Sequence, residues 1–358
     1  MKVAEVTDCC PISGVIPSSI LERLTVLISR IQMRILEAQS GQTENYEIAG
    51  LPVCFKFLDK RIKEQVSPAF LHLRTERQIQ PELTIVLDGV SSPFDSRRRL
   101  LDWAGWGEMD IWIVRVAEMV LIVQSEGQVI VAFDDLRRTG YWCEPGATGM
   151  NYLDRAAPMC SLLTYWFARR GRYLFHGASI GDSDTGVLIL GAGGAGKSTT
   201  ALACLEAGMT YAGDDYCLLR MDGGPFVDSL FGTAKLSDRS RFPSLAAAMD
   251  LEGTTSDEKT IYCLHRLPES TLRFGFRLRS ILLARVEPIQ ETTTSLSSHA
   301  KGFLALAPSI GFQLPEMRKD AMRCFDAVAR QLPVYDLKLG ADMRSTPEAI
   351  RRLLRELC

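Results

Sequence analysis

Two spacings of apolar residues alternate along the chain. Ile20, Leu24, Leu27, Ile28, Ile31 and Ile35 recur at steps of three and four, which predicts an amphipathic helix from about Ser19 to Ala38. Ser19 and Glu22 open it as a capping box. After the polar turn Ser40-Gly41-Gln42-Thr43, the runs Tyr46–Ile48, Val53–Phe57 and Leu83–Leu87 read as strands, with Val66–Leu73 helical between them. Met109–Val116, Met119–Gln124 and Gln128–Phe133 follow as a β-meander. Trp103, Trp106, Trp112 and Trp142 surround it, a grouping that suits core or inter-domain packing more than a ligand cage. Residues 1–155 are therefore expected to form a smaller α+β N-terminal domain, used for substrate or partner recognition or for dimerisation.

The second half changes character. Pro158–Arg170 predicts a helix with Leu162, Leu163, Trp166 and Phe167 on its buried side. Arg172–Ile180 reads as one strand, Gly181–Gly186 as a turn, and Val187–Leu190 as the returning strand. Doubly wound nucleotide-binding folds reach the neighbouring parallel strand through a helix, so a hairpin at this place predicts a sheet of mixed direction. Beyond it, Tyr216–Arg220 and Arg277–Val286 read as strands. Leu304-Ala305 and Phe325–Leu332 read as helical, and Thr346-Pro347-Glu348 starts a last helix. The expectation is an α/β domain over residues 156–358.

Chemistry enters with Gly191-Ala192-Gly193-Gly194-Ala195-Gly196-Lys197-Ser198-Thr199, directly after the Val187–Leu190 strand. Glycines permit the positive φ values with which a loop aims its N–H groups at a phosphate. Lys197 can reach β- and γ-phosphates, and the Ser198 hydroxyl can ligate Mg²⁺. The helix that opens here adds its positive end to the same anion site, and Gly208 ends it. Gly191, Gly193, Gly194, Ala195, Gly196, Lys197, Ser198 and Thr199 are the expected nucleotide-binding set.

Asp214-Asp215 follows shortly after. Such a pair either is an ordinary turn or places one carboxylate on Mg²⁺ and the other against an incoming hydroxyl. His176 is either a satisfied core histidine or, if the hairpin carries it to the mouth of the loop, a phosphate contact. Lys235, Arg239 and Arg241 form a basic cluster that can face phosphates or an acidic acceptor, with solvated surface the preferred reading of the two arginines.

Composition narrows the class. The 358 residues carry 41 Lys and Arg against 43 Asp and Glu, a net charge of −2, so no electrostatic footprint for nucleic acid or anionic membrane is expected. No apolar run has the length of a membrane span, and the first residues lack the basic-then-apolar order of a signal peptide; a cytoplasmic protein is expected. The 10 cysteines are scattered without a C-x-x-C pair, which favours reduced thiols over a zinc or redox site.

His176-Gly177, the hairpin, Gly191–Ser198 and Gly213-Asp214-Asp215 together resemble, in order and spacing, the catalytic domain of HPr kinase/phosphorylase. They resemble equally the kinase-like proteins related to it that occur beside peptide-modifying enzymes. Ser229–Leu236 and the segment Pro333-Val334-Tyr335 to Leu339-Gly340 look like the latter branch. The resemblance implies a mixed-sheet P-loop kinase domain like that of phosphoenolpyruvate carboxykinase around its nucleotide site. It also implies phosphoryl transfer from Mg-ATP to a serine-type hydroxyl on a peptide, protein or small metabolite. Carried over, Lys197 binds phosphates, Ser198 and Asp215 serve Mg²⁺, Asp214 is the general base and His176 helps hold phosphate; the two Asp roles can be exchanged. The glycine-containing signature that follows the Asp pair in the bifunctional enzymes is not found here, so HPr itself, the reverse reaction and the hexamer are not carried over, although a homo-oligomer remains open. Two other classes compete: an ATP-dependent regulatory or scaffolding module, and an ATPase with water as the acceptor.

Overall fold

The computed structural model describes residues 5–6, 18–89, 111–116, 118–124, 129–144, 150, 152–236, 242–246, 250–254, 260–267 and 271–357. The amphipathic helix runs over Ser18–Glu37. Its buried stripe of Leu24, Leu27, Ile28 and Ile31 packs on Val86, Leu121, Ala132 and Tyr141 of a sheet, while Val26, Met33 and Leu36 point to solvent. That sheet is built from β1 (Glu5–Val6), β2 (Gln42–Ile48), β3 (Leu51–Phe57), β4 (Leu83–Asp88), β5 (Ile111–Val116), β6 (Met119–Gln124), β7 (Ile130–Asp134) and β8 (Thr139–Cys143), in the order β1-β5-β6-β7-β8-β4-β3-β2. The meander and the three earlier strands lie where the alternation predicts them. β8 was not foreseen: all five of its residues are buried, so Thr139-Gly140-Tyr141-Trp142-Cys143 shows no alternation to read. Trp142 is core; Trp103, Trp106 and the side chain of Trp112 lie outside the described residues.

The opposite face of this sheet receives the helix Cys160–Ala168, whose Leu162, Leu163, Trp166 and Phe167 share one core with Phe55, Phe70, Ile85 and Trp142. The same core takes in Leu174, Leu218, Leu230 and Phe231 from the second half of the chain. The tightest join lies between the 3₁₀ turn Ser67–Leu73 and the segment Ser229–Gly232. Gly232 N donates to Ala69 O at 2.8 Å, the Phe70 and Phe231 rings meet edge-on at 5.4 Å, and His72 Nε2 shares a 2.8 Å hydrogen bond with Ser229 Oγ. A Cβ on Gly232 would come within 2.8 Å of His72 Nδ1, so only glycine allows so close an approach.

Burial pushes the His72 imidazole down to about 3. In the unfolded chain the ring protonates near 6.5, so below that pH the unfolded state binds the extra proton. Stability is fully present above about 6.5 and is lost as pH falls towards 3, at up to about 1.4 kcal/mol per pH unit. Urea unfolding at pH 7.5 and 5.0 should show His72→Gln losing roughly 2 kcal/mol less than the wild type; equal losses would contradict a half-buried ring held neutral.

The second sheet contains β9 (Tyr173–His176), β10 (Ala178–Asp182), β11 (Thr185–Leu190), β12 (Thr210–Gly213), β13 (Tyr216–Arg220), β14 (Phe226–Asp228), and three later strands. A small separate sheet pairs β15 (Thr233–Leu236), β16 (Asp250–Thr254) and β17 (Thr260–Cys263) in the order β15-β17-β16. β18 (Gly275–Val286), β19 (Thr293–Leu296) and β20 (Val334–Leu339) complete the second sheet, with path β12-β10-β11-β18-β14-β13-β9 and β20 against β18. β10 and β11 form the expected antiparallel hairpin, and β11 lies parallel to β18; the sheet is mixed. Arg172–Ile180 is not one strand. It breaks at Gly177 into β9, which pairs with β13, and β10, which pairs with β11 and β12. β12 likewise runs into β13 across Asp214-Asp215. Two kinked strands thus lie side by side, and the sheet curls until its ends meet at the kinks, where Gly177 N donates to Asp215 O at 3.2 Å.

Among the described residues, no helix is long and apolar enough to cross a membrane. The described cysteines are free thiols.

Candidate functional site

Buried Val187–Leu190 of β11 lead straight into the glycine loop, and the helix Lys197–Glu206 leaves it. Gly196 is the N-cap with φ +93°, and Thr200 N closes the first helical turn on Gly196 O at 2.8 Å. At the far end Met209 N bonds Cys204 O and Gly208 N bonds Leu205 O, with Gly208 at φ +79°, which is the glycine stop expected of this residue. A Cβ at Gly196 would be strained by its φ and would meet Leu339 Cδ1 at 2.6 Å, whereas one at Gly193 meets nothing within 4 Å. Gly196→Ala should therefore lower stability by about 1–3 kcal/mol, and Gly193→Ala by less than about 0.5 kcal/mol. Thermal unfolding without nucleotide checks the contrast, and equal effects would refute the loop geometry.

Lys197 is buried, and its Nζ donates to Gly191 O at 2.9 Å and to Ala192 O at 3.2 Å. Ala195 N returns to Ala192 O at 3.1 Å, so the ammonium sits in the hollow of a compact loop. Ser198 and Thr199 occupy the first turn of the helix.

Asp214 and Asp215 stand at the kink between β12 and β13. Tyr216 N bonds Asp214 O at 2.8 Å, with Asp215 at φ +64°; this is a three-residue γ-turn in its strained form, costing of order 1–3 kcal/mol. The turn gives the two side chains different surroundings. Asp214 is 4% exposed, and neither carboxylate oxygen has a partner at hydrogen-bonding geometry. Burial first, then the neighbouring Asp215 charge, pushes its carboxyl well above the usual aspartate range, while the nearby Ser198 hydroxyl and the Lys197 charge pull the other way. Asp215 instead holds Lys235 Nζ at 2.8 Å. Both belong to the wall of a small recess, with room for about one water molecule, that also includes Ala156, Tyr216, Thr233 and Lys235.

Buried oxygens without partners mark a place that an ion can complete. The Asp214 carboxylate and the Ser198 hydroxyl are hard oxygen donors, which suit Mg²⁺. Among the described residues no group of three or more His, Cys, Asp or Glu could hold a metal. Mg²⁺ commonly takes only one or two protein ligands beside waters and phosphates, so the two-donor set fits.

His176 does not ride on the hairpin. It ends β9, opposite Tyr216, with its ring stacked on Phe312 at 5.8 Å and edge-on to Tyr216 at 6.0 Å. Burial lowers its pKa, Asp215 raises it, and Lys197 and Lys235 lower it further. The ring therefore feels the charges of Lys197, Lys235 and Asp215 from β9 rather than from the hairpin, and burial favours its neutral form. Its Nδ1 is buried without a partner.

Sequence reading placed Lys235 in a basic cluster able to face phosphates or an acidic acceptor but did not foresee its pairing with Asp215. It missed Phe312, which gave no signal. Arg239 and Arg241 lie outside the described residues.

No family model matches the chain, and no curated protein does. Among solved structures it is similar to the HPr(Ser) kinase/phosphatase from Coxiella burnetii, at 14% identity over 51% of this chain and 98% of that chain, with a TM-score of 0.28. A likeness of that size carries no chemistry, which rests instead on the residues gathered around the loop.

Proposed function

We propose that this chain is a Mg-ATP-dependent phosphotransferase that moves the γ-phosphoryl group to a hydroxyl acceptor on a peptide, protein or small metabolite. One observation carries the reading: a phosphate-type loop ends in Lys197-Ser198 beside the buried Asp214 carboxylate, while the neighbouring Asp215 is more exposed and pairs with Lys235. A site that only held nucleotide would not need the second carboxylate.

The loop N–H groups and Lys197 bind the phosphates. Asp214 and Ser198 would hold Mg²⁺, which would supply neutralisation of the phosphate charge. This reverses the roles first expected of the two aspartates, and the support is their surroundings: Asp214 is buried beside Ser198, and Asp215 is the more exposed of the two. The acceptor oxygen bonds to the γ-phosphorus as the bond to the β–γ bridging oxygen breaks. Its proton passes to Asp215, and ADP leaves. Neutral His176 can offer a ring N–H to a phosphoryl oxygen. Most of the acceleration comes from holding these groups in line.

The test is the rate of ADP formation from Mg-ATP with and without a fractionated extract of peptides and metabolites from the source cells. Stimulation by one fraction, absent in Lys197→Ala, supports a kinase. An unstimulated steady rate supports the ATPase reading, and tight ATP binding without turnover supports the regulatory module.

A further inference from the structure

Lys235 is placed in a way that a structural ion pair does not require. Its side chain is 18% exposed and that of Asp215 24%, so the pair loses hydration that a surface bridge would keep, and such pairs seldom add stability. It also belongs, with both aspartates, to the wall of the small recess. Its charge and that of Lys197 both depress the protonation of His176, which puts two cations from two different elements around one imidazole.

The strand that presents it is fixed from outside the site. β15 follows directly on Ser229–Gly232, the segment gripped by Ala69, Phe70 and His72. Thr233 Oγ1 donates to Ala156 O at 2.8 Å, and Lys235 lies opposite Ile261 of β17. The lysine is thus delivered on a rigid element, with a long side chain able to change partners.

We propose, resting on the phosphotransferase reading above, that Lys235 is a second phosphoryl-binding cation that exchanges partners during the reaction. In the free protein it neutralises Asp215. When the γ-phosphoryl group lies in the loop, the ammonium moves to its oxygens from the β15 side, and Asp215 is released to take the acceptor's proton. The balance is that of an ordinary transfer: the acceptor oxygen–phosphorus bond forms, the β–γ bridging bond breaks, the acceptor proton goes to Asp215, and Lys235 keeps its own protons throughout. Charge on the transferring group is largest in the transition state, so the contact strengthens there more than in the bound substrate.

Calorimetric titration of the full chain with MgADP, and with MgADP plus aluminium fluoride as a mimic of the transferring phosphoryl, needs no acceptor. Lys235→Ala and Lys235→Met should each bind MgADP within about twofold of wild type and the aluminium fluoride complex at least about tenfold more weakly. Lys235→Arg should recover part of the loss, since it keeps the charge. Equal binding of the mimic by wild type and both neutral variants overturns the partner exchange. Parallel loss of MgADP and mimic in both neutral variants also overturns it, leaving Lys235 a structural cation. Failure of the wild type itself to bind MgADP overturns the phosphotransferase reading, and this proposal with it.

Discussion

Lys197→Ala is expected to lower phosphoryl transfer by at least about 10²–10³-fold, the range for removing one preorganised donor from a transition-state site. In the ligand-free protein the ammonium braces the loop through Gly191 O and Ala192 O. Truncation removes the brace and the charge together. ATP affinity should fall as well, by the roughly 1.5–3 kcal/mol of a charge-assisted hydrogen bond. Lys197→Arg should not restore the activity, because a planar guanidinium cannot occupy a hollow shaped around a compact ammonium. Steady-state rates and nucleotide titrations of both variants are the check, and transfer retained within tenfold would contradict the phosphate role of this residue.

Asp214→Asn should act in opposite directions on stability and on activity. Its carboxylate is buried without a partner at hydrogen-bonding geometry, and burial and the Asp215 charge outweigh the nearby Ser198 hydroxyl and Asp215 backbone amide, so the neutral amide removes a desolvation cost of about 1–2 kcal/mol at neutral pH. Thermal unfolding of the ligand-free variant should rise by roughly 2–4 °C. The same change removes the carboxylate proposed to hold Mg²⁺, so the metal dependence of ATP binding should disappear and transfer should drop by about 10³-fold. Asp215→Asn should keep Mg-dependent ATP binding and lose transfer by about 10²–10⁴-fold, the range for a general base. If Asp215→Asn were the variant that loses the metal dependence, the first-expected assignment, with Asp215 on Mg²⁺ and Asp214 as base, would be restored.

How far the site could be read in advance depended on whether its determinants were local. The loop was legible because Gly191–Ser198 meets a conformational demand within itself, and Gly208 ends the helix through bonds to Cys204 and Leu205 only a few residues back. The β10–β11 hairpin was legible because its turn residues lie between two apolar runs. The break at Gly177 was not: β9 and β10 separate because they pair with β13 and β11, partners remote in sequence. β8 was hidden by complete burial, which erases the alternation that marks half-buried strands. The pairing of Lys235 was hidden for a third reason. Its partner Asp215 and the residues that position its strand, Ala69, Phe70 and His72, are brought to it only by the fold. Asp214 and Asp215, identical in sequence terms, are told apart only by the γ-turn that buries one and leaves the other more exposed beside Lys235.

The central claim is that this site moves a phosphoryl group from Mg-ATP to a hydroxyl. ³¹P NMR of the full chain with Mg-ATP and an extract of peptides and metabolites, run beside Lys197→Ala, tests it most directly. A phosphomonoester resonance that grows as the γ-signal declines, and is absent from the Lys197→Ala sample, is the predicted result. Growth of inorganic phosphate alone, or an unchanged ATP spectrum from a protein that still binds the nucleotide, would contradict it.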